Sequence, residues 1–305
     1  MSSDKFIIPV GTQVVIATEV RTSVGEVLHP SGSVGVIVKA PTDSTHSYRV
    51  RFPDGFEAPF RSDELTIRKH YQQEVAIGTG SEHETTLYDC VIYRCVVGSR
   101  AYGLEQHASD IDRRGIYVPP AELQWSLFGV PEQLESEENQ ECYWELRKFI
   151  VLALKANPNV LECLYTPLVE IVTPLSEELL QQRDMFLSKL VYQTYNGYVF
   201  SQFRKLEQDI RNQGSIKWKH AMHLIRLLLS GIKVLKEGFV PVRVEEHRDR
   251  LLAIRNGKTP WDEVNLWRLQ LHKEFDAAYA ETRLPDRPDY ENANTFLVKA
   301  RRKQL

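Results

Sequence analysis

Apolar and polar positions alternate in a strand-like way along the first quarter of the chain and move to helical spacing in its last half. Residues Thr12–Val20 are rich in β-branched side chains, Ser33–Lys39 is a second such run, and Ser47–Phe52 alternates polar and apolar. Pro30-Ser-Gly-Ser and Pro53-Asp-Gly lie between them and supply turn chemistry. Short strands, tight turns and little helical periodicity predict a small closed barrel over residues 1–72, since closure removes exposed edges. Residues 73–86, with Gly78-Thr-Gly80 among polar and charged neighbours, read as a linker. An α/β segment follows over 87–173. Cys90–Val97 is an apolar strand running into Gly98-Ser99, and Asp110–Val118 is a second strand stopped by Pro119-Pro120. From Glu132 to Glu145 the chain holds six acidic residues and no basic one, so the first half of this run reads as a solvated loop. A helix is predicted over Trp144–Leu154, closed by Asn157-Pro158. Residues 174–305 read as helical. Ser176 is the expected N-cap of the first helix. Lys217–Lys236 carries apolar residues at 222, 225, 228, 229 and 232 and ends at Gly238 and Pro241, and Trp261–Tyr279 is amphipathic.

Composition narrows the class. Of 305 residues, 42% are hydrophobic and 26% charged, which is globular composition and excludes a wholly disordered or fibrous chain. No run of 18 apolar residues is present, so no bilayer-spanning segment is expected, and the first residues do not read as a signal peptide. Four cysteines, Cys90, Cys95, Cys142 and Cys163, without a CxxC pair argue against a disulfide scaffold or zinc site and point to a reduced, cytoplasmic protein.

The chemistry-bearing stretch is Val97-Gly-Ser-Arg-Ala-Tyr-Gly103, followed at fixed distance by Ser109-Asp-Ile-Asp112. A strand that ends in Gly-Ser and turns into a helix presents free N–H groups, lets phosphate oxygens approach the backbone and adds a hydroxyl donor. Asp110 and Asp112, two apart on a strand, project from one face, with Ser109 as a loop cap. Two carboxylates held that close repel, and a divalent cation relieves the repulsion; hard oxygen ligands select Mg²⁺ or Mn²⁺. A phosphate cradle beside such a metal site is what phosphoryl or nucleotidyl transfer requires. Arg100, one residue into the helix, is a candidate triphosphate contact. Arg113 and Arg114 must point to opposite faces, and an ion pair is expected there.

Gly-Ser, ten residues, then Asp-x-Asp resembles the DNA polymerase β nucleotidyltransferase superfamily. The fuller run through Arg113-Arg-Gly-Ile-Tyr-Val118, with Glu145-Leu-Arg-Lys-Phe149 and Asn157-Pro-Asn-Val-Leu-Glu162 downstream, looks like one branch of it. That branch comprises predicted nucleotidyltransferases similar to phage RNA-ligase-associated proteins. The resemblance covers roughly residues 88–260. It implies a multidomain chain: a polymerase-β-like α/β nucleotidyltransferase domain followed by an α-helical domain. It also implies Mg²⁺-dependent transfer of a nucleoside monophosphate from an NTP, with pyrophosphate released. Gly98 and Ser99 would hold the triphosphate, and Asp110 and Asp112 would ligate the metals. A third carboxylate is expected on a following strand, and Glu145 or Glu141 is the candidate. At 139–140, where an aspartate is expected, the chain has Asn139-Gln140. The N-terminal pattern, with its Tyr-x-Val-x-Phe-x-Asp-Gly, resembles all-β SH3-like barrels of the Tudor or KOW type, which bind peptides, RNA or a neighbouring domain.

Charge is unevenly spread. The formal net charge is −3, yet residues 203–258 hold thirteen Lys and Arg against six Asp and Glu. Lys219, His223 and Arg226 fall at i, i+4, i+7 on one predicted helix and form a candidate basic wall for the nucleotide. Glu162 is either a structural partner or a site residue. Two functions follow: an enzyme acting on an RNA, protein or small-molecule hydroxyl, or a non-catalytic nucleotide-binding protein with a degenerate site. The missing aspartate favours the second, and no membrane partner is expected.

Overall fold

The computed structural model describes residues 7–22, 25–41, 47–71, 87–105, 110–136, 138–213 and 216–304. The expected linker at 73–86 and the proposed loop cap Ser109 lie outside the described residues. Two compact units are formed, Met1–Ser81 and Glu82–Leu305.

In the first unit the β-branched runs become β1 (Gln13–Ile16), β2 (Val20–Arg21), β3 (Val27–His29), β4 (Val34–Lys39), β5 (Tyr48–Arg51), β6 (Glu57–Phe60) and β7 (Leu65–Ile67). Five of them build an antiparallel sheet in the order β6-β5-β4-β1-β7. Alternation in β5 is the one the sequence shows: Tyr48 and Val50 are buried and Arg49 and Arg51 exposed. Those two apolar side chains join Val14, Ile16, Ile37, Phe52 and Phe60 in this unit's core.

The second unit is built on a mixed sheet of β8 (Val91–Val97), β9 (Asp112–Tyr117), β10 (Gln133–Ser136), β11 (Glu141–Glu145) and β12 (Val169–Val172). Its order is β10-β11-β9-β8-β12, with β9 and β11 parallel and the other neighbours antiparallel. The first half of the acidic run, expected as a solvated loop, is therefore strand over Gln133–Ser136. Gln133–Ser136 is an edge strand whose polar residues suit a sheet margin, because charged side chains on an edge discourage further pairing.

Ten helices of this unit matter below: α1 (Gly98–Tyr102), α2 (Ala121–Trp125), α3 (Leu146–Leu154), α4 (Pro158–Tyr165), α5 (Pro174–Gln181), α6 (Leu190–Gln213), α7 (Trp218–Glu237), α8 (Arg248–Arg255), α9 (Trp261–Glu281) and α10 (Tyr290–Arg302). Strand β11 continues to Glu145, so α3 begins at Leu146, two residues later than the sequence predicts. Thr173, and not Ser176, caps α5; Ser176 sits at the third helical position and completes a capping box with it. Helix α7 ends at Gly238 as expected, in the left-handed conformation.

One sheet face meets the helices. Tyr93, Cys95, Ile116, Cys142 and Trp144 pack in a single core with Phe149, Leu161, Tyr195, Ile225, Leu228 and Phe275. This core runs without a break across position 173. The opposite sheet face carries a smaller cluster of Leu87, Tyr117, Leu134 and Tyr143. Strand β9 tolerates only glycine at 115, because a Cβ there would lie 1.9 Å from the Tyr93 carbonyl oxygen.

Candidate functional site

The β8-to-α1 turn and the start of β9 come together. Val97 is the register partner of Asp112. Gly98 follows with φ +70, and a Cβ on it would meet Asp112 Oδ2 at 2.5 Å. Glycine is thus required twice, for its backbone angle and for its closeness to the carboxylate. Ser99 and Arg100 lie in α1, which Gly103 ends in the left-handed conformation. Five residues make a negligible macrodipole; the turn contributes instead the N–H groups that a first helical turn leaves unpaired, and the Ser99 hydroxyl.

The strand begins at Asp112, so Asp110 stands exposed in the connection that enters it and not within a strand as expected. Two carboxylates two residues apart are hard oxygen donors. Mg²⁺ is commonly held by one or two carboxylates plus substrate phosphates, so this donor set fits such an ion in company with a nucleotide. Among the described residues no group of three or more His, Cys, Asp or Glu is placed to hold a metal by itself.

The candidates for the third carboxylate lie elsewhere. Glu141 is the register partner of Arg113, and Glu145 of Tyr117. Register partners share a sheet face, and neighbours along a strand alternate. Glu141 and Glu145 therefore occupy the face opposite Asp112. Glu145 is also remote, since Tyr117 lies five residues along β9 from Asp112, about 16 Å at roughly 3.3 Å per residue. Its carboxylate is buried, ion-paired to Arg301 of α10, and accepts a 3.0 Å hydrogen bond from the Arg147 N–H at the start of α3. Glu141 belongs to a charged group on the open face. Arg94 and Arg113 each lie 2.9 Å from Glu170 there. Tyr143, hydrogen-bonded to Arg94 and Glu141, is pushed up to about 12 by burial and then by the Glu141 charge. The ion pair expected of Arg113 or Arg114 is thus made by Arg113 with Glu170.

The expected basic wall is divided. Lys219 is exposed, but Arg226 is only 3% exposed and ion-paired to Glu162, itself 1% exposed. The Arg226 guanidinium also lies 3.8 Å from the centre of the Tyr102 ring, and the Tyr102 hydroxyl donates a 2.7 Å bond to Glu162 Oε2. His223 packs edge-on to the same ring. Burial, then the charges of Arg226 and Lys219, holds its imidazole at about 3, so it is neutral at physiological pH. Arg226, Glu162 and Tyr102 form a buried brace between α1, α4 and α7, and the Arg226 charge is already neutralised.

Residues that the sequence did not single out hold the far end of α1. The Val244 N–H donates to Tyr102 O at 3.2 Å, Arg248 Nε to Gly103 O at 2.7 Å, and Arg255 Nη1 to Leu104 O at 2.5 Å. Beside α1 a cavity of about 230 Å³ is lined by Arg100, Ala101, Glu105, Pro167, Leu168 and Arg243. The basic excess over 203–258 was the one sequence signal for these arginines; their pairing with carbonyls some 145 residues away left none.

The chain is 29% identical over 154 residues to the uncharacterized protein YcgL of Bacillus subtilis (strain 168). That match covers 50% of this chain and 58% of YcgL. A family model described as "RNA repair pathway DNA polymerase beta family" matches residues 67–299, and the chain belongs to that family, RlaP.

Proposed function

We propose that the protein is a Mg²⁺- or Mn²⁺-dependent nucleotidyltransferase that moves a nucleoside monophosphate from an NTP to a hydroxyl, with an RNA end as the acceptor. The observation that supports this reading is the closeness of the Gly98 turn to the Asp112 carboxylate, which would set a phosphate cradle directly beside a cation ligand. The family's description names RNA repair, and that favours RNA over a protein or small-molecule acceptor.

Asp110 and Asp112 would hold the metal, which when bound supplies charge neutralisation and orientation of the phosphates. The Gly98 and Ser99 N–H groups and the Ser99 hydroxyl bind the triphosphate, and Arg100 reaches it from the next position. The acceptor oxygen forms a bond to the α-phosphorus as the α–β bridging bond breaks. The bonding pair leaves with pyrophosphate, and the hydroxyl proton passes to solvent. We assign residues 87–173 as the catalytic part and 174–305 as the helical part, which braces α1 from behind. The N-terminal unit we assign as an SH3-like barrel that binds RNA or a protein partner. Among the described residues no helix is long and apolar enough to cross a membrane, and the four free cysteines suit a reduced, cytoplasmic setting.

A second reading, nucleotide binding without transfer, is favoured by one observation: neither Glu141 nor Glu145 shares the Asp112 face. Incubation with each α-labelled NTP, either metal, and RNA or protein acceptors separates the two. Label arriving in RNA, lost in Asp110→Ala and Asp112→Ala, supports transfer; binding of NTP with no label transferred supports the second reading.

A further inference from the structure

Arg114 lies two residues beyond Asp112 on β9, so both side chains leave the same face of the sheet, about 7 Å apart along the strand. Its register partners are Cys95 on β8 and Cys142 on β11, neither of which carries a balancing charge. The guanidinium is only partly exposed. It donates from Nη1 to Arg113 O at 2.7 Å and to Gln140 O at 3.2 Å. Gln140 O also accepts from the Arg113 N–H at 3.0 Å, so both carbonyls mark the end of the β9–β11 ladder where Asp112 stands. The side chain therefore turns back along the strand toward Asp112.

Its charge is the feature to explain. The other two arginines of the central strands, Arg94 and Arg113, share Glu170 on the opposite face. Among the described residues Arg114 has carbonyl partners and no carboxylate. Bonded only to carbonyls, the guanidinium keeps its charge for a partner, and an anion arriving on the Asp112 face would meet it. A guanidinium also presents a planar fork of donors that matches two phosphate oxygens at once, which an ammonium does not.

We propose that Arg114 contacts the substrate, taking non-bridging oxygens of the nucleotide's phosphates on the face it shares with Asp112. It stands beside Cys142, on the face where a third carboxylate is missing from β11. This rests on the reading of the Asp112 face as a nucleotide site. It extends that reading to a residue on the strand itself, on the far side of Asp112 from the Gly98 turn.

The test is calorimetric binding of a Mg²⁺-complexed α,β-methylene NTP, which resists transfer, to the full chain. Wild type, Arg114→Gln, Arg114→Lys and Arg113→Gln are compared, with melting curves as a check on folding. The expected result is at least tenfold weaker binding for Arg114→Gln, an intermediate loss for Arg114→Lys, and wild-type affinity for Arg113→Gln. Wild-type affinity in Arg114→Gln overturns the contact and leaves the nucleotide site standing. No binding by the wild type overturns both. Should Arg114→Gln fail to fold, phenylglyoxal labelling of the wild type decides: the nucleotide slows modification of Arg114 and not of Arg113, and equal rates with and without nucleotide overturn the contact.

Discussion

Gly98 and Asp112 meet so closely that a single added methyl group on the glycine would lie 2.5 Å from the carboxylate oxygen. The backbone angle of +70 at Gly98 adds to this, since a left-handed angle costs an alanine about 1–2 kcal/mol. Gly98→Ala should therefore lower the melting temperature of this unit by about 3–6 °C. It should also weaken NTP binding, because Asp112 must shift. Thermal melting and calorimetry on the same preparation check both.

Glu145 and Glu141 should behave as structural and surface residues respectively. Glu145→Ala leaves Arg301 without its partner and removes the cap of α3, so a loss of about 3–5 kcal/mol is expected in denaturant unfolding. Glu141→Gln should leave NTP affinity and any transfer rate within about twofold of wild type, as its carboxylate faces away from Asp112. A large loss of transfer in a well-folded Glu141→Gln would place it in the site after all.

Arg226→Met should destabilise by about 3–5 kcal/mol, because it strands the Glu162 carboxylate at 1% exposure. Adding Glu162→Gln to it should recover part of that loss, since the stranded charge is then gone. Tyr102→Phe should cost less, about 1.5–3 kcal/mol, the range for a hydrogen bond to a charged acceptor. Urea unfolding of the single and double variants measures each value and the coupling.

His223 gives the fold a dependence on pH. Its imidazole titrates at about 3 when folded and 6.5 when unfolded. Between these values the unfolded chain binds the extra proton, so stability is full above about pH 6.5 and falls as the pH is lowered. From pH 7.5 to pH 5 the loss through this residue is about 2 kcal/mol. Denaturant unfolding at both pH values should show that difference, and His223→Gln should remove it.

How much the sequence revealed depended on how local each feature is. The Gly-Ser turn and the Asp-x-Asp spacing are short-range patterns, and Asp112 lies against Gly98, while Asp110 stands in the connection before the strand. Which carboxylates join them depends on register across β9 and β11, where a shift of one residue moves every side chain to the other face. Alternation along Glu141–Glu145 groups its own residues correctly but does not say which group faces Asp112. Lys219, His223 and Arg226 show the same limit: helical spacing gives a shared side, while Glu162, 64 residues before Arg226, decides that Arg226 is buried. Strand β10 was hidden because its four residues, Gln133–Ser136, hold one apolar side chain and so lack the alternation that marks a half-buried strand. The start of α3 was misread because Trp144 and Glu145 suit either element.

The central claim is that the Asp110–Asp112 carboxylates and the Gly98 turn form one nucleotide site. Asp112→Asn tests it most directly, because it keeps the side chain's size beside Gly98 and removes its charge. Transfer of label from an α-labelled NTP to RNA, measured with Mg²⁺ and again with Mn²⁺, should be present in the wild type and abolished in a folded Asp112→Asn. Transfer at the wild-type rate in Asp112→Asn would contradict the account.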